Sequence, residues 1–293
     1  MRFAIATLDP YIGVFEAFLA AGWEPVRLFT VAPKNPLDSN DMVLALADKH
    51  NTKIQLSRIT RQDMQELGEQ GCDALIIASY NWKIDDWRPY LKYAVNFHPS
   101  PLPEGRGPYP LVRAIMERRS TWGITCHRLT PDMDAGDILA AENFPMQADE
   151  SHESLRLKVQ MAAGRLGMQV AGQFKQLWNN AAPQVGGSYW PRWSHVDRLI
   201  NFAMPVDHII CHVRAFGFVE SLVSLSNQVV LSVRHAVGWV EAHNYIPGHI
   251  VSAQGRSLLI AAADGYIGIQ DWQFAPPDVT AEVQAKLNIQ NIK

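Results

Sequence analysis

Asn96 and His98 stand two residues apart at the end of the apolar run "YAVNFH". The chain behind them, "PSPLPEGRGPYP", is dense in proline and glycine. Residues i and i+2 of a strand face the same way, so the amide and the imidazole project to one side while Phe97 turns to the other. Prolines at 99, 101 and 103 fix φ and stiffen the loop that must hold the pair. Such a pair suits acyl transfer. A nucleophile attacking a carbonyl creates an oxyanion, to which an amide N–H and an imidazolium N–H can both donate; one such donor is worth about 3–4 kcal/mol of barrier. A third group should set the charge of the ring, and the candidate is Asp134 in "TPDMDAGDIL". A carboxylate beside the ring raises its pKa and can pass on, through water, the proton lost by an attacking amine. Taken alone, an Asn-x-His at a strand end is more often a satisfied structural pair, and Asp-Ala-Gly-Asp more often just a turn. The compound pattern N-x-H-x-S-x-L-P-x-x-R-G-x-x-P, with Asp134 36 residues after His98, shifts the balance towards chemistry.

Holding these residues requires a rigid sheet, and the first hundred residues supply one. "RFAIAT", "EPVRLFT", "TKIQLS", "DALIIAS" and "YAVNFH" read as strands, the fourth as a continuous apolar run of the kind covered on both faces. Between them, "VFEAFLAAG", "SNDMVLALADKH" and "TRQDMQELGEQG" read as helices, with Ser39 and Asn40 as N-cap candidates and Gly71 as a stop. This alternation predicts a doubly wound, Rossmann-like, mainly parallel α/β sheet, in which ligands collect beyond the carboxyl ends of the strands. A helix "LVRAIMERR", two strand-like runs "WGITCHRLT" and "GDILAAENFPM", and a long helix from about Glu153 to Trp178 follow. "NNAAPQVGGSYWPRW" reads as a linker. Beyond it, one helix, "MPVDHIICHVRAFG", precedes short runs at the spacing of a small antiparallel barrel or sandwich, a β-rich, OB-like domain. The expected domains are residues 1–185 and 195–293.

The remaining sequence narrows the chemistry. With 293 residues, 47% hydrophobic and 19% charged, the chain can bury a sizeable core, and a net charge of −3 gives no overall pull towards nucleic acid or anionic membrane. "TLDPYIG" after the first strand lacks GxGxxG, and no GxxxxGK[ST] occurs, which disfavours dinucleotide and P-loop sites. No GxSxG elbow occurs, and Cys126 reads as buried in a strand. Cys72, Cys126 and Cys211 are dispersed, so neither a disulfide framework nor a CxxC metal pair is expected, and a reducing cytoplasm fits best. The opening residues read as a first strand and not as a signal peptide, and no apolar run is long enough to span a membrane. His127 reads as a strand-face histidine, with a supporting role at the site as the alternative. Asp132 and Asp137 read as turn and strand-start residues, and Arg106 and Arg113 as structural or solvated arginines or as contacts for an anionic acceptor.

On its compound motif the chain resembles the 10-formyltetrahydrofolate-dependent formyltransferases, the group holding methionyl-tRNA formyltransferase, glycinamide ribonucleotide formyltransferase and the sugar N-formyltransferases. The resemblance covers roughly residues 1–180 well and the remainder more weakly. It implies that Asn96 and His98 take the formyl-oxygen and acid/base roles and that Asp134 tunes His98. It also implies 10-formyltetrahydrofolate as the formyl donor, with the pterin held by two loops, Trp82-Lys83-Ile84 and Thr130-Pro131-Asp132-Met133 up to Asp134. Ser100, Leu102 and Pro103 stand where the family has Ser-Leu-Leu-Pro; Pro101 replaces the first Leu. Trp82 reads equally as a hydrophobic cover over the sheet end.

Members of that group share the donor and differ in the amine. The tRNA enzymes resemble one another in a basic loop after the second strand, where this chain has "VAPKNPLDSND", with one lysine and two aspartates. Binding a phosphate backbone takes several cations. "RAFGFVES" also departs from the Pro-containing turn of the tRNA enzymes. The expected acceptor is therefore a small-molecule amine, a nucleotide-linked amino sugar first, with aromatics of "SYNWKI" and "GPYP" available to stack on a base or sugar. The alternatives are methionyl-tRNA, an amino acid or peptide precursor, and a folate-binding module without turnover. A homodimer is compatible with the sequence.

Overall fold

The computed structural model describes residues 1–32, 39–80, 82–225 and 229–290. The "VAPKNPLDSND" loop therefore has its centre, residues 33–38, outside the described residues. The chain forms two compact units that interleave in sequence. One comprises residues 1–110, 121–145 and 157–190; the other comprises 111–120, 146–156 and 191–293.

The first unit begins β1 (Arg2–Thr7), α1 (Ile12–Ala20), β2 (Glu24–Phe29), α2 (Asp41–Lys49), β3 (Lys53–Gln55), α3 (Arg61–Glu69), β4 (Ala74–Ala78) and β5 (Tyr93–His98). The chain continues through α4 (Pro110–Met116), β6 (Thr121–Arg128), β7 (Ile138–Pro145) and α5 (His152–Asn179). Seven strands form one sheet in the order β3-β2-β1-β4-β5-β6-β7. The first five pair in parallel, and β6 and β7 close that sheet antiparallel beside β5. The doubly wound reading of the sequence is what the chain forms. β4 is buried along its whole length, as its uninterrupted apolar composition requires.

Both faces of the sheet are covered. Phe3, Phe15, Phe18, Trp23, Phe97 and Phe174 interlock edge to face or tilted on the side of α1 and α5, with ring centroids 4.8–6.5 Å apart. Ala4, Phe29, Met64, Leu67, Leu75 and Ile77 form the cluster that includes α3. Phe97 thus belongs to the α1/α5 side, which leaves its neighbours Asn96 and His98 to the other. α5 carries a kink at Gln173 (φ −122°, ψ 20°).

Two local expectations are corrected. Asn40 stands at the start of α2 but does not cap it: its amide donates to the Val31 carbonyl at 2.6 Å. Asp9, from the loop after β1, accepts the Val43 N–H at 2.9 Å instead. The segment read as a linker is in part tied into the first unit, with Ala182 bridged to Ile138 and Tyr189 to Arg106.

The second unit adds α6 (Val206–Phe216), β8 (Ser221–Ser224), β9 (Val230–Val240), β10 (Ile250–Gln254), β11 (Ser257–Ala261), β12 (Gly265–Phe274) and α7 (Pro277–Gln290). Its strands form an antiparallel sheet in the order β10-β11-β12-β9-β8, packed on Ile209 and Val213 of α6. The terminal helix α7 was not expected from the sequence. It buries Val279 and Val283 against Leu222 and Val230.

Candidate active site

β5 carries Asn96 opposite Ile77 of β4 on one side and opposite His127 of β6 on the other. After His98 the strand stops in a tight turn. The Ser100 N–H returns to the His98 carbonyl at 2.8 Å, the Thr125 hydroxyl donates to the Ser100 carbonyl at 2.8 Å, and the Leu102 N–H donates to Thr125 Oγ1 at 3.1 Å. The indole N–H of Trp122 takes the Pro99 carbonyl at 2.9 Å. The proline-rich loop is thus pinned along its length by β6.

Asp134 arrives from the turn between β6 and β7. Its φ of 53° is left-handed, a region that aspartate visits more readily than most residues. Gly136 lets this turn close, since a Cβ there would collide with the Arg128 carbonyl. Gln184 braces the turn from outside, donating to the Asp134 carbonyl at 2.8 Å and the Gly136 carbonyl at 2.7 Å while accepting from Arg106 Nε at 2.9 Å. Arg106 is therefore structural, and Arg113 pairs with Glu117 at 2.7 Å.

The three predicted groups meet. Asn96 Nδ2 donates to Asp134 Oδ1 at 3.2 Å, and His98 Nδ1 lies 3.6 Å from the same oxygen. Asp134 Oδ2 accepts the Gly107 N–H at 2.9 Å. Gly107 has φ 101°, and a Cβ there would strike the Trp190 carbonyl, so glycine is required. His98 Nε2 is 2.9 Å from the Gly105 carbonyl. A carbonyl only accepts, so Nε2 carries the hydrogen and the neutral ring presents its lone pair at Nδ1.

The electrostatics run partly against expectation. Asp134 does push the His98 pKa upward, as does the Gly105 carbonyl. Burial outweighs both, with a small further push from His127, and the ring is held below its ordinary value. His98 is neutral near pH 7. For Asp134, burial is the largest single influence and works to raise its pKa; the His127 and His98 rings and the Gly107 N–H together prevail and hold it at about 2. Cys126 is fully buried, and burial alone pushes its thiol up, so it supplies no nucleophile near neutral pH.

His127 takes the supporting place at the site that was the second of its two readings from the sequence. It does face off a strand, as read, but that face is the site: Nε2 lies 3.2 Å from Asn96 Nδ2 and 3.6 Å from Asp134 Oδ1, and the residue is 1% exposed. The alternation of β6 could have placed it; the β5–β6 register that brings it opposite Asn96 could not be read from one strand. Gln184 was hidden in the supposed linker.

The other predicted positions divide. Trp82 is half-buried and edge-on to Tyr80 at 5.2 Å; Lys83 is exposed, its carbonyl 3.4 Å from Arg58 Nη2; Ile84 packs on the core. Thr130, Pro131, Asp132 and Met133 form an exposed bend in which the Thr130 hydroxyl donates to the Asp132 carbonyl at 2.9 Å. The indole N–H of Trp87 donates to the Leu129 carbonyl at 3.1 Å and so joins these two segments. Among the described residues none of the seven hydrogen-bonds to Asn96, His98 or Asp134. Ser100 is fully buried and Leu102 7% exposed. The Ser100 side chain is turned inward, and both residues build the loop. Pro103 is half-buried, and its carbonyl accepts the Ser188 N–H at 3.2 Å.

The family pattern described as formyl transferase matches residues 38–170, and that of the formyl transferase C-terminal domain matches 192–282. A methionyl-tRNA formyltransferase of Anaplasma marginale is 30% identical over 225 residues, 73% of this chain and 71% of that protein. The chain belongs to the formyl transferase family. It is a formyltransferase, an enzyme of one-carbon group transfer. Solved structures of the same fold also superpose on it. The N-formyltransferase from Helicobacter canadensis, solved with folinic acid and dTDP-3-aminofucose, gives a TM-score of 0.66 at 17% identity over 93% of this chain and 99% of that one. HypX from Aquifex aeolicus, solved with tetrahydrofolic acid, gives 0.64 at 17% identity over 94% of this chain, which spans only 44% of HypX. Among the described residues no helix is long and apolar enough to cross a membrane.

Proposed function

We propose that this formyltransferase moves the formyl group of 10-formyltetrahydrofolate onto the primary amine of a small acceptor, a nucleotide-linked amino sugar. The observation that carries the reading is the convergence of Asn96, His98 and Asp134, with one carboxylate oxygen 3.2 Å from the amide and 3.6 Å from the ring. A donor folate supplies an activated formyl carbon. Among the described residues, the N–H groups of Trp82, Lys83, Ile84, Thr130 and Met133 have no backbone partner, so two adjacent segments offer peptide groups to the edge of a pterin. The solved complexes with folinic acid and tetrahydrofolic acid support that choice of donor.

The residues divide the chemistry by type. Asn96 donates an N–H to the oxygen that gains negative charge as an amine attacks. His98, neutral, takes up the amine's proton at Nδ1, since Nε2 is committed to the Gly105 carbonyl; as the oxyanion collapses, the bond from the formyl carbon to N10 of the folate breaks, and the same proton goes to N10 as tetrahydrofolate leaves. Asp134, ionised down to about pH 2, steadies the imidazolium so formed. Trp122 and the loop bonds to Thr125 hold Asn96 and His98 still while this happens.

The acceptor is chosen on charge. Residues 192–282 hold five arginines, no lysine and eight acidic residues, a poor surface for a phosphate backbone. The solved Helicobacter canadensis complex with an amino sugar nucleotide supports a small acceptor. The second reading, methionyl-tRNA, is favoured by the 30% identity to the Anaplasma marginale enzyme. A panel of amines incubated with 10-formyltetrahydrofolate, followed by release of tetrahydrofolate, tests both. Nucleotide-linked amino sugars should turn over fastest. Methionyl-tRNA formylated at least as efficiently would reverse the choice of acceptor, and no release with any amine would remove the reaction.

A further inference from the structure

Asn96 has two amide hydrogens, and both are already engaged. One points to Asp134 Oδ1 at 3.2 Å. A carboxylate only accepts, so this contact fixes which end of the carboxamide is nitrogen. The other hydrogen faces His127 Nε2, also at 3.2 Å. His127 Nδ1 lies 2.8 Å from the carbonyl of Arg128, which only accepts, so Nδ1 carries a hydrogen; Nε2 faces an amide N–H and is left as its acceptor. The ring is 1% exposed and stands edge to face with His98 at 6.4 Å, so water does not take its place.

We infer that His127 is a positioning residue for Asn96: its Nε2 accepts the second amide hydrogen and aims it, so that the oxyanion of the transfer takes over a hydrogen already oriented. The inference rests on the reading of Asn96 as the oxyanion donor. Without His127 the amide has one fixed contact, to Asp134, and is free to turn about it. With His127 the NH2 plane is fixed by two acceptors from two separate segments, β6 and the turn that follows it. His127 touches no reacting atom on this account; it acts through Asn96, and its ring also lies 3.6 Å from Asp134 Oδ1. This separates it from His98, whose lone pair points to Asp134 and whose other nitrogen is tied to the loop.

The test reads the amide directly. In the full-length protein labelled with 15N, the Asn96 Nδ2 pair is identified by its disappearance in Asn96→Ala. The wild type should show two separated hydrogens that exchange slowly with solvent; fast exchange of both would overturn the inference with no variant involved. In His127→Met, which keeps bulk without an acceptor of comparable strength, one of the two should exchange at least about tenfold faster, because it has lost its partner. In His127→Gln, whose Oε1 can accept, it should return towards the wild-type rate. With 10-formyltetrahydrofolate and the best amine of the panel, His127→Met should lower kcat about 10- to 100-fold with KM for the donor little changed, since misplacement by about 1 Å costs rates of that order. His127→Gln should recover part of that loss. Unaltered amide exchange in His127→Met, or a loss confined to KM, would overturn the proposal. Altered exchange in a protein that formylates no amine would leave the positioning intact and remove the reaction instead.

Discussion

The first unit buries charge in two places, and the two are built on opposite principles. At one, Arg27 of β2, fully buried, meets Asp63 at 3.1 Å and Glu66 at 2.9 Å, both on α3. The acids are permanently charged partners, with Asp63 also closing a capping box with Thr60. At the other, Asp134 meets, among the described residues, an amide, two imidazoles and a peptide N–H and no guanidinium or ammonium. A charge paired with a guanidinium is spent on holding the fold. A charge set beside neutral donors and the His98 ring keeps its field for whatever forms beside it. The difference separates a structural ion pair from a reactive one without reference to any relative.

Substitutions should pull the two places apart. The largest effect belongs to His98→Ala and Asn96→Ala, which should fold and lose formyl transfer by about 100- to 10,000-fold, read as tetrahydrofolate release per folded molecule. Near wild-type turnover in either would merge the two places into one structural class. Arg27→Met should do the reverse. Removing one partner leaves the acids of α3 uncompensated, and chemical denaturation should show a loss of about 3 kcal/mol while turnover of the folded fraction stays within a few-fold. A large catalytic loss at unchanged stability would contradict that assignment.

Asp134→Asn should lower turnover and also move its pH dependence. Asp134 raises the pKa of His98, so removing the charge lowers it, and the acidic limb of the rate profile should shift to lower pH. An unmoved limb would mean that the carboxylate does not tune the ring. The smallest effect is on stability in acid. His98 is held below its ordinary value by burial, so the folded chain resists a proton that the unfolded chain accepts. The stability this gives is complete above about pH 6.5 and declines as pH falls below it. Asp134 adds a second decline between its ordinary 3.8 and about 2. His152 and His212, also lowered by burial, share the first window. Midpoints of thermal unfolding should therefore fall from about pH 6.5 downward, and less steeply in His98→Gln; a midpoint that rises on acidification would contradict the signs.

What could be read in advance follows from how far apart the cooperating residues lie. Asn96 and His98 share a face because strands alternate, a rule that acts over two residues. β4 announced itself by composition. Asp134 needed the motif, since nothing local says that a turn 36 residues on will fold back to His98. His127 needed the register between β5 and β6, which depends on the Thr125 and Trp122 bonds to the proline loop. Asp9 capping α2, and Gln184 bracing the Asp134 turn, are contacts between distant segments with no periodic trace. The helix α7 leaves a weak pattern in the sequence because its apolar positions serve a small local cluster.

The two oxygens of Asp134 answer to different masters: Oδ1 to the side chains of β5 and β6, Oδ2 to the main chain at Gly107. Any lengthening or shortening of the stretch from Pro99 to Pro110 would rotate the carboxylate and spoil its aim. Descendants of this chain that evolve towards a different amine must therefore leave that stretch untouched and vary their specificity elsewhere on the surface.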